Sequence, residues 1–349
     1  MPSSGPPCCE ILCDSDSPHL AQIYTGFAML HRAGEILLSQ RFRNRDHFEA
    51  SKPQHLRDAS YTHLLVAVNQ SIKLYYDCHD SFEIDERAAS EVDCYFKRSY
   101  APNRVPDNLK SRVFPLGLNY ELYIEDDRFE QERLCWFQEK LSNDEFRPTI
   151  ENMHAAPDHS LGHGVLFITR TWDPFDNADR SEHKIGERIS TNETRAHCIR
   201  LLRKEFSDRF LGGFIHTDYA AKNYAGALLS SNEISEKQNY IKLLRQYPVC
   251  VTTTGLHGSI GWKMGEYVAF SRAIVSESLN YEVPGDFRQS KNYLAFNEPD
   301  QCIKGVHDLL TDDDLRYRMM QANHEYYRRY LKPDAMIRRT LKIGLTGRD

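Results

Sequence analysis

The chain has 349 residues, 40% of them hydrophobic and 27% charged, with a formal net charge of −6. That length favours two domains, and the acidic balance argues against a dedicated nucleic-acid binder, which carries a basic excess. No window holds the roughly eighteen apolar residues that a membrane helix needs. The first residues, MPSSGPPCCEILCDSD, lack the basic-then-apolar order of a secretory signal, so the sequence predicts a cytoplasmic protein. Its nine cysteines are odd in number and form no CxxC pair. Several, such as Cys13 and Cys250, sit in apolar runs, which predicts reduced, packed thiols and no zinc site.

In chain order, residues 10–13 (EILC) read as a short strand followed by the polar loop DSDSPH. A helix is expected from Leu20 to Ala33, with Ile23, Phe27 and Leu30 at helical spacing and Gly34 as its stop. Strands are expected at residues 36–39, 63–69 and 72–77, with short β segments at 91–99 and 112–117. Strands alternating with helical stretches predict a parallel sheet with covering helices. Residues 141–162 are polar, aperiodic and contain proline, so they read as a linker. The rhythm then restarts with a strand at 164–170, a helix from Thr191 to Phe206, and a strand at 213–216. An amphipathic helix over 240–245 and a strand at 248–253 follow. A helix with proline just inside its start is expected near Asn297-Glu-Pro-Asp. Another runs from about Asp312 to Tyr330, Pro333 breaks it, and a last one spans Ala335 to Lys342. This predicts domains at 1–155 and 156–335, with residues 336–349 packing back on the N-terminal domain. No repeat of solenoid length is present.

One stretch carries the strongest chemical signal: TGLHGSIGWKMGEY, residues 254–267. Gly255, Gly258 and Gly261 let the backbone turn and approach a ligand. With a helix starting near Ser259, its unpaired N–H groups and positive dipole end suit an anion. Ser259, Lys263 and Glu266 then share one helix face. A hydroxyl and an ammonium suit phosphate oxygens, and a carboxylate further along suits ribose hydroxyls. The same spacing also serves a plain strand-loop-helix with a surface Lys263–Glu266 pair. The stretch is not the GxGxxG dinucleotide fingerprint.

The run Val249–Glu277, VCVTTTGLHGSIGWKMGEYVAFSRAIVSE, resembles the donor-binding segment of GT-B-fold glycosyltransferases. The tail, NYLAF followed by LLTDDDLRYRMMQANHEYYRRYLKP, is similar to the closing helices of glycosyltransferase-group-1 and spore-maturation-type glycosyltransferase-like proteins. The resemblance covers about residues 163–335. It implies an α/β fold of two Rossmann-like lobes of GT-B type with a cleft between them. It also implies a hexosyl- or related transferase of the EC 2.4 class, moving a sugar from a nucleotide-diphosphate sugar to an acceptor hydroxyl in glycan biosynthesis. No metal and no cofactor beyond that co-substrate are implied. Donor binding would fall to Arg170, His257, Gly258, Ser259, Lys263 and Glu266, with Glu266 on the ribose. Retaining relatives with a Glu-x7-Glu pattern would place a glutamate at position 258, where this chain has Gly258; His257 is similar to the histidine of inverting enzymes, which favours inversion. The alternatives are a nucleotide-sugar epimerase or hydrolase on the same scaffold, or a non-catalytic binding subunit.

Transfer needs a base for the acceptor and stabilisation of the departing diphosphate. The resemblance implies a base from the N-terminal lobe. The loop CDSDSPH offers His19, opening a helix whose dipole favours the neutral imidazole, with Asp16 to orient it. The other reading is helix capping by Ser17 or Asp16 with His19 merely solvated. Asp14-Ser-Asp16 also spells a D-x-D metal motif, but after the first strand it is out of place. Asp312-Asp-Asp314 reads as a helix start. Weaker candidates for acceptor or sugar contacts are Asp80, Lys97, His216 and Asp218, each set against an ordinary turn or a sheet edge. The partners expected are a nucleotide-sugar donor and a glycan or small-molecule acceptor. Transient membrane contact is compatible with the sequence, and stable nucleic-acid binding is not expected.

Overall fold

Eleven strands among the described residues form two separate sheets in a computed structural model that describes residues 5–13, 17–40, 62–124, 146–176 and 181–348. The chain is α/β with two mainly parallel sheets, the class expected from the sequence. It divides into two compact units: residues 1–151, 281–285 and 328–349 form unit 1, and residues 152–280 and 286–327 form unit 2.

Unit 1 begins with β1 (Cys8–Cys13), α1 (Ala21–Arg32), β2 (Leu37–Gln40), β3 (His63–Val68) and β4 (Ile72–Asp77). It continues with α2 (Glu86–Glu91), β5 (Cys94–Lys97) and β6 (Val113–Pro115). The sheet order is β2-β1-β3-β4-β5-β6. The expected all-parallel arrangement fails here, because β3 runs antiparallel to both β1 and β4. The link between β3 and β4 is only Asn69-Gln70-Ser71. Asn69 and Gln70 have φ of 51° and 59°, and Ser71 donates to the Val68 carbonyl. Two successive left-handed residues make the tight turn of this three-residue hairpin link, and a parallel crossover needs a far longer connection. The expected β segment at 91–99 likewise starts late, since α2, capped by Asp85 on the amide of Ala88, occupies its approach.

The core of unit 1 packs Ile11, Phe27, Leu64, Tyr76 and Phe96 with Ile337 and Leu341 of the last helix. That helix is numbered α9 below in chain order (Pro333–Thr346), with proline in its first turn. Gly26 on α1 faces it, and a Cβ there would run into the Pro333 carbonyl oxygen, so only glycine permits the helices to lie this close.

Unit 2 comprises β7 (Val165–Thr169), α3 (Glu182–Phe206), β8 (Phe210–Phe214), α4 (Asp218–Asn223), α5 (Lys237–Gln246) and β9 (Val249–Thr252). After these come α6 (Trp262–Ala269), β10 (Ala273–Glu277), β11 (Leu294–Phe296), α7 (Pro299–Thr311) and α8 (Asp313–Tyr326). All its strands are parallel, in the order β11-β10-β9-β7-β8. The order therefore reverses between β7 and β9. In such open sheets ligands bind beyond the carboxyl ends of the strands at this switch point.

Helix α3 begins nine residues earlier than the Thr191 start expected from apolar periodicity. The reason is chemical: its buried side chains begin with Arg188, Asn192 and Arg195, so the inward stripe starts polar. Helix α7 is closed at its start by a reciprocal box in which Glu298 and Gln301 each bond the other's backbone. Cys8, Cys9, Cys78, Cys94, Cys198, Cys250 and Cys302 are free, and burial pushes the Cys78 and Cys250 thiols up to about 12. No helix of the described residues is long and apolar enough to cross a membrane.

Candidate functional site

The carboxyl ends of β7 and β9 are tied together by one side chain, Arg195 of α3. It is buried, with 5% of its surface exposed. Its Nε donates to Thr253 Oγ1 at 2.8 Å, and its two terminal nitrogens donate to the carbonyls of Arg170 (2.8 Å) and Thr254 (2.9 Å). Burial lowers its ordinary 12.5 to about 10, with Glu277 opposing and Arg170 adding to that fall. It therefore stays charged at neutral pH. The carboxylate in its field, Glu277 at the end of β10, is itself engaged by the amide and hydroxyl of Thr254, at 2.7 and 3.0 Å. One helical turn away, Asn192 brackets Trp172, accepting from its amide at 2.8 Å and donating to its carbonyl at 2.7 Å. Arg188 donates to the Pro174 carbonyl. The polar face of α3 thus moulds the two loops that flank the switch point.

Arg170, directly after β7, is exposed, and its guanidinium carbon lies 3.9 Å from the centre of the Trp172 ring. Stacking on an aromatic face fixes the plane of a guanidinium. Arg170 and Arg195 are close enough to repel, since the Arg170 charge adds to the fall of Arg195. Two cations brought together at the carboxyl ends of parallel strands are able to stabilise an anion.

The loop that the sequence singled out departs from expectation at its start. Residues 256–258 make one tight turn, Ser259 is extended, and α6 starts at Trp262 rather than near Ser259. Ser259 is buried and accepts, at its carbonyl, the amide of Gly255. It does not share a helix face with Lys263. His257 is exposed and left-handed at φ 60°, and Gly258 follows at φ 63°. The His257 amide donates to Glu187 Oε1 on α3 at 2.5 Å. A Cβ on Gly258 would lie 2.5 Å from Nδ2 of Asn280, so backbone and neighbour both reject a glutamate there.

Lys263 and Glu266 belong to a cluster in unit 2 with Lys237 and Tyr240. The Lys263 ammonium sits 3.9 Å from the Tyr240 ring centre. Burial drops its ordinary 10.5 to about 8, partly offset by Glu266. Glu266 is buried and pairs with Lys237 Nζ at 2.7 Å. Burial alone would raise its carboxyl, yet the Lys237 and Lys263 charges and the Lys237 hydrogen bond hold it below 4.5. The surface pair allowed by the spacing is thus replaced by a buried, three-charge group. His216 is exposed, with its Nε2 2.6 Å from the Leu229 carbonyl, and Asp218 opens α4 on the surface.

In unit 1, Lys97 is corrected from a contact residue to a buried one. It is wholly covered and pairs with Asp77 at 2.8 Å, while Tyr95 donates to the same carboxylate at 2.5 Å. Alternation places Arg98 on the other face of β5's end. There it pairs with Asp80 at 2.5 Å and reaches Nδ1 of His19 at 3.4 Å. Asp80, His19 and Arg98 are therefore together, whereas Asp16 and Asp14 lie outside the described residues.

Sequence reading missed Glu187, Asn192, Arg195, Lys237 and Glu277. The signal available was the polar stripe Arg188, Asn192, Arg195 at helical spacing, visible only once the helix is known to begin at Glu182. Among the described residues no group of three or more His, Cys, Asp or Glu side chains could hold a metal ion.

No family model matches the sequence, and no curated protein matches it. Solved structures do. The C-terminal domain of a glycosyl transferase group 1 family protein (LpcC) from Francisella tularensis is 15% identical, over 51% of this chain and 95% of that one, at a TM-score of 0.30. TarM of S. aureus, solved with UDP, is 14% identical over 72% of this chain at 0.36, and the match spans 50% of the TarM chain. A glycosyltransferase from Rickettsia africae is 12% identical, over 96% and 84% of the two chains, at 0.43. At such scores the likeness carries no argument about chemistry, which for this chain rests on its own residues.

Proposed function

We propose that the chain is a glycosyltransferase that takes a sugar from a nucleotide-diphosphate donor and passes it to an acceptor hydroxyl, with inversion and without a metal. The observation that carries this reading is the convergence of Arg170 and Arg195 at the switch point of an all-parallel sheet. A departing diphosphate needs fixed positive charge where its own charge develops, and these two side chains supply it without reorganising.

In this reading unit 2 holds the donor. Arg170 meets the diphosphate, and His257, Gly258 and Ser259 shape the backbone around it. Glu266, the candidate for the ribose hydroxyls, is buried against Lys237, so it meets a ribose only where that pair opens, and Lys263 keeps its charge balance. Within unit 1, Asp80 and Arg98 are the candidate acceptor contacts and His19 the candidate proton-accepting group. Inversion is supported by Gly258, whose left-handed backbone and Asn280 neighbour leave no room for a glutamate.

The test is thermal denaturation with UDP-, GDP-, TDP- and CMP-linked sugars. A bound donor raises the melting temperature progressively with concentration, by the mass-action term, about 2.7 kcal/mol at a hundred times Kd. The stabilisation must vanish in Arg170→Ala. A panel in which no donor raises the melting temperature removes the proposal.

A further inference from the structure

The loop 254–258 already has an anion on it. Glu187 projects from α3 and its carboxylate accepts the amide of His257 at 2.5 Å. That amide belongs to two successive left-handed residues, His257 at φ 60° and Gly258 at φ 63°. Left-handed residues in tight turns turn peptide N–H groups toward an anion, and backbone concavities of this kind hold phosphate and carboxylate alike. A left-handed conformation is costly for a residue with a Cβ, so His257 is held in it by its surroundings. One of those restraints is the Glu187 hydrogen bond, a charge-assisted one.

We propose that Glu187 is an internal stand-in for the ligand's phosphate: it occupies the His257 amide in the empty protein and is displaced when a diphosphate arrives. This inference rests on the nucleotide-diphosphate reading of the same loop. Two features favour displacement over a permanent tie. Glu187 is half-buried on a helix that starts only at Glu182, so its side chain can swing to solvent. Its partner is a peptide amide rather than a cation, whereas Glu277, at the end of β10, is held by two donors of Thr254. Glu187 therefore lowers affinity for anions, by occupying a donor and by like-charge repulsion. A residue that recognised the donor's sugar would act in the opposite sense.

The experiment is calorimetric titration of inorganic pyrophosphate into the wild type, Glu187→Gln and Glu187→Ala. Glutamine keeps an oxygen for the His257 amide but no charge, and alanine removes both. The inference expects pyrophosphate to bind tighter in both variants, by roughly tenfold in alanine, as for one like charge removed at close range. Thermal melts identify a variant that has not folded, and the other then decides. Equal or weaker binding in the folded variants, with the wild type binding, overturns the inference and leaves the donor reading standing. Absence of binding in all three proteins overturns both.

Discussion

Lys237 Nζ lies 2.7 Å from Glu266 Oε1, and the carboxylate it meets is only 4% exposed. A buried carboxylate stripped of its cation is costly, so Lys237→Met should destabilise the protein by up to about 3 kcal/mol, read as a lower urea midpoint at unchanged slope. The acid limb provides a second readout. Glu266 titrates below 4.5 in the fold, so the unfolded chain takes up its proton first as pH falls. Its contribution is full above the ordinary carboxylate range and is lost as pH drops through the lower, folded value. Glu266→Gln should flatten stability against pH in that acid window.

Lys263 predicts a second rise of stability with pH, at the alkaline end. Its folded value is about 8 against an ordinary 10.5. Between those values the unfolded chain binds the proton and the native protein does not, so stability rises with pH. Lys263→Met should lose that rise between pH 8 and 10.5, measured as the difference between the two proteins' denaturation curves. Parallel curves across the window would show that the ammonium is solvated.

Arg195→Met should leave the Thr253 hydroxyl and the Arg170 and Thr254 carbonyls without their donor. Each buried acceptor so orphaned costs about 1–3 kcal/mol, so a loss of several kcal/mol is expected where the loops cannot reach water. Amide hydrogen exchange should locate the damage in residues 170–174 and 253–258, with the core strands β7 and β9 keeping their protection.

Gly258→Ala places a side chain at φ 63° against Asn280. The left-handed backbone alone costs about 1–2 kcal/mol. Gly258→Ala combined with Asn280→Gly should recover the steric part and leave the backbone part, seen as a partial return of the melting temperature. Full recovery in the double variant would mean the backbone cost is absent.

Much of the frame was legible in the sequence because apolar periodicity reports burial directly. The strands β1, β4, β7 and β9, the helix α1 and the proline-led helix α7 announce themselves by composition and caps, whereas Pro333, read as a break, is the first residue of α9. Local turn chemistry was legible in principle at Asn69-Gln70, where two left-handed residues close a hairpin, but neither is glycine, so the signal was faint. The glycine loop was visible as well, since glycines mark where a backbone must turn sharply.

Three-dimensional packing alone decided which charges meet. Arg195 joins loops that lie 25 and 59 positions away from it, and Glu187 reaches across 70. Electrostatic partners are chosen by folded proximity, which one-dimensional spacing does not encode beyond a helical turn. Lys97 and Arg98 are sequence neighbours, yet strand alternation buries one on Asp77 and turns the other to Asp80. The polar inward face of α3 hid its first nine residues from a reading built on hydrophobic period. The sequence alone thus determined where the chain is greasy and where it bends; the fold determined which of its charges face a ligand, because only there does distance replace spacing.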